Sequence, residues 1–218
     1  PAQNTSGYDP NTVIVFDDAE LEKAVRESMK RPTGDILVSD ALAVDGLDFQ
    51  RNGVDTSEPL IQSLDALKYF TNLTYLGMGY AVGDGGDPVH GIDLSPLAGM
   101  TKLSSLQMAC VPVSDISVVK NLPYLVSFTA WGGGLITDIS PLAGLKNLQA
   151  LTIRENKITD VSPLAGMTNL IYLDISDNQI TDVTPLASLT NLQRLYISNN
   201  LAKDLSSLAA IRVKLNEW

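Results

Sequence analysis

The chain has 218 residues, of which 44% are hydrophobic and 6% aromatic, and its formal net charge is −10. This apolar fraction suffices for one well-buried core or two small ones and excludes disorder for most of the chain. The acidic balance repels phosphate backbones and anionic lipid surfaces, so nucleic acid is excluded as an expected partner, and no apolar run is long enough for membrane insertion.

Residues 1–12 are predicted to be a flexible N-terminal segment. They have neither the basic region nor the apolar region of a signal peptide, so any such peptide is expected to have been removed from the chain. The single cysteine, Cys110, excludes an intramolecular disulfide framework, and this leaves the cellular compartment open.

Residues 13–43 are predicted to form an N-terminal cap, with a strand at 13–16 and a helix at about 18–30. The helix is indicated by a capping-box pair (Asp17 and Glu20), a hydrophobic staple (Phe16 and Leu21) and an apolar stripe (Leu21, Val25 and Met29). We expect this helix to cover the open end of the first coil, because nothing stacks on the outer face of a terminal repeat.

The remainder of the chain repeats itself. Residues 148–169 and 170–191 are both 22 residues long and share leucine, isoleucine, asparagine, aspartate and proline positions in register. The same phase predicts seven coils over 44–213, of which the first two carry insertions at 54–60 and 81–91. The coils begin at Val44, Leu73, Leu103, Leu125, Leu148, Leu170 and Leu192.

Each coil combines a short strand with a tight turn. Apolar residues that alternate with polar ones, such as Leu151 and Ile153, have the period of a half-buried strand, and such strands are predicted to stack into one parallel sheet. The asparagines that follow three strands are predicted to form a ladder of side-chain bonds to the backbone of the turns: Asn156, Asn178 and Asn200.

Two kinds of polar residue are predicted to start the helical turns on the opposite side of each coil. Four hydroxyl residues stand directly before a proline and have the pattern of an N-cap: Ser95, Ser140, Ser162 and Thr184. One acidic residue per coil is interpreted as a turn cap, not as part of an acid–base pair: Asp93, Asp115, Asp138, Asp160, Asp182 and Asp204.

The last residues, 214–218, are predicted to form a C-terminal edge. Ile211, Val213 and Leu215 alternate, which is typical of an edge strand that closes the stack, with Trp218 near it.

The repeat LxxLxIxxNxITDVxPLAxLTN, after a cap that ends in Gly34 to Ile36, resembles the internalin-type leucine-rich repeats of bacterial surface proteins. The resemblance implies an α/β right-handed solenoid, or horseshoe, with a parallel β-sheet on the concave face, short 3-10 turns on the convex face and an N-terminal helical cap. It also implies a secreted or cell-surface bacterial protein whose concave sheet binds a protein or peptide or, less often, a glycan. The sequence departs from the pattern at Ala81 and Val111, which replace the asparagine, and the residues that follow the last coil are not expected to form an immunoglobulin-like domain.

The predicted binding site lies on the concave face, because side chains alternate across a strand and every second residue points there. Aromatic residues and arginine, which anchor many interfaces, gather at those positions. The predicted site residues are Tyr75, Tyr80, Trp131, Arg154, Tyr172, Asp174, Arg194 and Tyr196. The competing interpretation is that tyrosine and threonine simply favour strands.

Other functions have weaker support in the sequence. Asp84, Asp87 and Asp93 invite a calcium site, but they lack the ligand spacing and the closing glutamate, so we predict no metal and no cofactor. His90 and Cys110 could form a thiol enzyme's pair, although a loop histidine and a structural thiol explain the same residues, and we predict no enzyme. A structural spacer or stalk in a larger wall-associated protein is the main alternative to a binding module.

Overall fold

A computed structural model describes residues 7–51, 59–83, 85–87, 89–211 and 214–215, and its side-chain description excludes residues 210, 214 and 215. Eight short strands form one sheet in which every strand pairs in parallel with the next along the chain. The strands are β1 (Gly46–Asp48), β2 (Tyr75–Gly77), β3 (Ser105–Gln107), β4 (Ser127–Thr129), β5 (Ala150–Thr152), β6 (Tyr172–Asp174), β7 (Arg194–Tyr196) and β8 (Lys214–Leu215).

Between successive strands the chain makes one 3-10 helix per coil. These helices are Asp65–Tyr69, Ser95–Gly99, Ser117–Asn121, Ser140–Leu142, Ser162–Leu164, Thr184–Ser188 and Ser206–Ala210. Strands on one side and short helices on the other form the horseshoe solenoid that the repeat predicts, so the fold class is confirmed. In the described part of the chain, no helix has the length and apolar character needed to cross a membrane.

The strands have the register that the sequence repeat requires. Gly46 pairs with Tyr75, Tyr75 with Ser105, and Tyr172 with Arg194, and each of these residues lies two positions after a predicted coil start. The central residue of each of the first seven strands points inward and is at most 1% exposed: Leu47, Leu76, Leu106, Phe128, Leu151, Leu173 and Leu195. Because the inward residue lies between two outward ones, every coil presents its outward side chains on the same concave face.

The N-terminal cap begins with helix α1 (Ala19–Ser28), and Asp18 rather than Asp17 is its N-cap. One oxygen of the Asp18 carboxylate accepts bonds from the amides of Glu20 and Leu21, each at 2.9 Å. The other oxygen accepts bonds from the amides of Gln62 and Ser63, at 2.6 and 3.1 Å. The predicted pairing of Asp17 with Glu20 is therefore wrong, and Asp18 both caps α1 and ties it to the first coil.

Two further features of the cap differ from the prediction. Instead of a strand at 13–16, only Val13 forms an isolated antiparallel bridge, with Leu37. A second helix, α2 (Val38–Leu42), follows and was not predicted. The Asp40 carboxylate accepts the Leu37 amide and pairs with Arg31 at 2.7 Å, and these bonds hold the pKa of Asp40 below its ordinary value.

The asparagine ladder is present in the last three coils and follows one pattern. The Asn178 amide nitrogen donates to the carbonyls of Ile153, Ile175 and Ser176, at 3.0 to 3.1 Å. Its oxygen accepts the amide of Ile158 from the preceding coil at 3.0 Å. Asn156 and Asn200 make the equivalent bonds. At the same position Ala81 and Val111 are buried and apolar, so the ladder is absent from the second and third coils.

The six 3-10 helices from Ser95 onward are started by aspartates and not by the predicted hydroxyl residues. The Asp160 carboxylate accepts both the amide and the hydroxyl of Ser162, at 2.8 and 2.9 Å. Each of the six predicted aspartates accepts the amide two residues later. The predicted N-caps at Ser95, Ser140, Ser162 and Thr184 are wrong, because their helices have no hydroxyl-to-backbone cap and the hydroxyls of Ser95, Ser140 and Ser162 bond to the aspartate instead.

Candidate binding surface on the concave sheet

Trp131 is the centre of a cluster on the concave face that we call the tryptophan cluster (Tyr80, Trp131 and Arg154). The guanidinium carbon of Arg154 lies 4.2 Å from the centroid of the Trp131 ring, which is a close cation–π contact. Tyr80 approaches the same ring edge-on, with centroids 6.1 Å apart and planes at 82°. All three side chains are half-buried, so the contacts restrict their motion while leaving part of each ring and guanidinium facing solvent.

The backbone turn after each strand explains how Tyr80 reaches Trp131. The eighth residue of six coils has a positive φ: Tyr80, Cys110, Gly132, Glu155, Asp177 and Asn199. A left-handed residue ends the alternation of the strand, and a tyrosine there is uncommon because its Cβ crowds the backbone. Tyr80 can therefore leave the column of its own coil and contact Trp131, which lies two coils further along the sheet.

Cys110 lies beside the tryptophan cluster. A hydrogen bond with the Cys110 thiol raises the pKa of Tyr80. The backbone amide of Cys110 donates to the carbonyl of Trp131 at 2.6 Å. A Cβ atom added to Gly132 would lie 2.7 Å from the Cys110 sulfur. Because Gly132 has no side chain, the Cys110 thiol can occupy this space. Sequence reasoning did not include Cys110 in the concave site, although its position in the turn that follows β3 was a usable signal.

A second group, the tyrosine cluster (Tyr172, Asp174, Arg194 and Tyr196), lies on strands β6 and β7. Their register places Tyr172 opposite Arg194 and Asp174 opposite Tyr196. The rings of Tyr172 and Tyr196 pack with centroids 5.5 Å apart. Asp174 is 7% exposed, and its carboxylate accepts the amide and the hydroxyl of Ser176, at 3.1 and 2.6 Å.

The two clusters lie close enough to interact electrostatically. Burial raises the pKa of Tyr172, and the negative charge of Asp174 adds to the rise, while Arg154 and Arg194 both oppose it. Arg154 belongs to the tryptophan cluster and Arg194 to the tyrosine cluster. The hydroxyl of Tyr172 therefore lies within the field of an arginine from each.

Tyr75 lies apart from both clusters, within a polar group near the N-terminal end of the sheet. The Gln50 amide donates to the Tyr75 hydroxyl at 2.7 Å and to the Gln107 side-chain oxygen at 3.2 Å. These side chains cover Gly77, where an added Cβ would lie 2.5 Å from both Gln50 and the Tyr75 hydroxyl. Sequence reasoning did not name Gln50 or Gln107 as site residues, although Gln107 occupies an outward strand position and Gln50 follows β1 closely.

The described residues of the alternative sites make contacts that account for them without a ligand or a catalytic pair. The His90 ring lies 2.8 Å from the Asp87 carboxylate, which also accepts the amides of Val89 and His90. The contacts of Cys110 are instead with Tyr80 and the turn around Gly132. Asp84 lies outside the described residues, and Asp93 caps a 3-10 helix. Within the described ranges, no group of three or more histidine, cysteine, aspartate or glutamate side chains could hold a metal ion.

Comparisons with known proteins agree with this architecture. The family profile for leucine-rich repeats in two copies matches residues 168–210. A search of curated protein sequences found no match. Among solved structures, internalin C2 from Listeria monocytogenes is 32% identical to this chain, with a TM-score of 0.73, and the match covers 90% of this chain and 81% of that one.

Two further solved structures share the fold. Internalin F from Listeria monocytogenes is 26% identical, with a TM-score of 0.55, over 91% of this chain and 68% of that one. A leucine-rich-repeat protein from Leptospira interrogans is 19% identical, with a TM-score of 0.52, over 70% and 45% of the two chains. Leucine-rich-repeat proteins of this type are binding scaffolds, commonly for other proteins. The stacked repeats, the helical cap and the similarity to internalin C2 together show that the chain belongs to the internalin-type leucine-rich-repeat proteins.

Proposed function

We propose that this protein is a non-enzymatic binding module that recognises a protein or peptide through the concave face of its sheet, between β4 and β7. The observation that carries the proposal is the packing of Arg154 on Trp131, at 4.2 Å, beside the Tyr172 and Tyr196 pair. Tryptophan, tyrosine and arginine dominate the energetics of many interfaces because they bury a large area and retain polar groups.

The arrangement favours binding because the anchoring side chains are already held in place. Trp131 has Arg154 over its ring and Tyr80 at its edge, so little side-chain entropy remains to be lost when a partner binds. Trp131, Arg154 and the tyrosine cluster belong to the four adjacent coils of β4 to β7, which span about 14 Å at the usual strand spacing of about 4.8 Å. Such a rigid and partly apolar patch suits a folded protein surface or an extended peptide. We also propose that the protein acts outside the cell, as its membership of the internalin-type proteins implies.

The double substitution of Trp131 and Tyr172 by alanine tests this function. A partner captured by the wild-type protein from surface proteins should bind the variant at least about 100-fold more weakly, since two anchoring residues are removed from one surface. Binding is measured by surface plasmon resonance after circular dichroism has shown that the variant retains its fold.

Tyr124 provides a matched control. This tyrosine is 63% exposed and precedes Leu125, outside the strands of the concave sheet. Tyr124→Ala should leave the affinity for the partner unchanged. If the partner bound the double variant as tightly as it binds the wild type, the concave surface would not be its site.

A further inference from the structure

Two guanidinium groups and one hydroxyl lie close together on the concave sheet, since Arg154 and Arg194 both act electrostatically on the hydroxyl of Tyr172. Arg194 lies directly opposite Tyr172 on the neighbouring strand. Arg154 follows β5, the neighbour of Tyr172 on the other side. Tyr172 therefore lies on the strand between the two coils that contribute the guanidinium groups.

These donors remain largely available to a ligand. Arg194 is exposed, and neither its guanidinium nor the Tyr172 hydroxyl makes a hydrogen bond or ion pair within the chain as described. Arg154 stacks on Trp131 and has one long ion pair, from its Nε to Glu155 at 3.6 Å. A guanidinium that stacks on a ring still has its in-plane N–H groups free, and their fork geometry matches a carboxylate.

We propose that the partner is a peptide segment that places an aspartate or glutamate carboxylate between Arg154 and Arg194, against the hydroxyl of Tyr172. This inference rests on the proposed function and specifies the chemistry of the partner at that surface. Trp131 packs against Arg154 and Tyr196 packs against Tyr172, and both rings are partly exposed, so an apolar or aromatic residue next to the acidic one has surfaces on which to pack.

The charges around the site favour a single carboxylate over a polyanion. Glu155 pairs with Arg154, Asp174 lies on the strand beside that of Arg194, and the chain as a whole has a net charge of −10. Asp174 is largely covered and already accepts two bonds from Ser176. A sulfated glycan or a nucleic acid would bring many negative charges into this field, whereas one acidic side chain needs only the two guanidinium groups.

Selection from a random peptide library displayed on phage tests the proposal with the intact protein. Peptides selected on the wild type should be enriched in aspartate or glutamate next to an aromatic or apolar residue. A selected peptide in which that acidic residue is changed to its amide should bind about tenfold more weakly. Arg154→Gln with Arg194→Gln should weaken the original peptide similarly but have little effect on the amide peptide.

The outcomes separate this inference from the proposed function. In one outcome, selected peptides fail to bind the Trp131→Ala, Tyr172→Ala variant and yet do not depend on an acidic residue. That result would overturn the inference but support the concave face as the binding site. Peptides that bind the double-alanine variant normally, or the absence of any selected peptide, would count against both. Heparin serves as the polyanion probe, and binding of heparin that depends on Arg154 and Arg194 would overturn the assignment to an acidic peptide.

Discussion

Asn178→Ala is expected to lower the free energy of unfolding by about 3 kcal/mol. The substitution removes the only acceptor described for the buried amide of Ile158 and one donor each from the carbonyls of Ile153, Ile175 and Ser176. Buried backbone groups without partners are costly because water cannot replace the lost bond. Urea denaturation followed by circular dichroism measures the change.

Asn169 is the matched control for the ladder. It is exposed, and its amide makes one bond to the carbonyl of Lys146 in the preceding coil, at 2.8 Å. Water can replace this bond, so Asn169→Ala should cost less than about 1 kcal/mol. Equal decreases in the free energy of unfolding for the two variants would show that the asparagine ladder does not hold the coils together as described.

Gly91→Ala is expected to destabilise the protein by about 3 kcal/mol, since backbone strain and a backbone clash occur at the same residue. Gly91 has a φ of +78°, and an added Cβ would lie 2.2 Å from the carbonyl oxygen of Pro112. That oxygen accepts the amide of Ile92 at 2.8 Å, and Gly91 itself forms a bridge with Val113. The alanine must therefore break the contact between the second-coil insertion and the third coil.

Substitution of Gly86, in the same insertion, is the control that separates backbone strain from steric clash. Its φ is +82°, but an added Cβ would meet no atom within 4 Å. Gly86→Ala should therefore cost only the strain of a left-handed alanine, about 1 kcal/mol. Thermal unfolding of both variants checks the difference, and a Gly86 variant as unstable as the Gly91 variant would refute the role of the Pro112 contact.

The repeat made the fold predictable because, in a solenoid, the position of a residue within its repeat determines whether its side chain is buried. Once the two best-matched coils define the inward leucines, the pairing of Tyr172 with Arg194 follows from a spacing of 22 residues. The cap was less predictable, because Asp17 and Asp18 both have a local sequence compatible with an N-cap. The choice of Asp18 depends on its bonds to Gln62 and Ser63, more than 40 residues away in the sequence.

The candidate site was predictable as a set of outward positions but not as a set of contacts. Alternation along the strands places Trp131, Arg154 and Tyr172 on one face. It does not determine that Arg154 stacks on Trp131, because this depends on side-chain directions across neighbouring coils. It also does not separate Tyr75, which bonds with Gln50, from the aromatic residues further along the sheet.

Hydroxyl-radical footprinting of the protein with a captured partner tests most directly whether the concave surface between β4 and β7 is the binding site. The oxidation rates of Trp131, Tyr172 and Tyr196 should fall when the partner is bound, because the partner covers their exposed parts. The rate at Tyr124, which is 63% exposed and lies outside the sheet, should stay the same. Protection of Tyr124 without protection of Trp131 and Tyr172 would contradict a concave binding site.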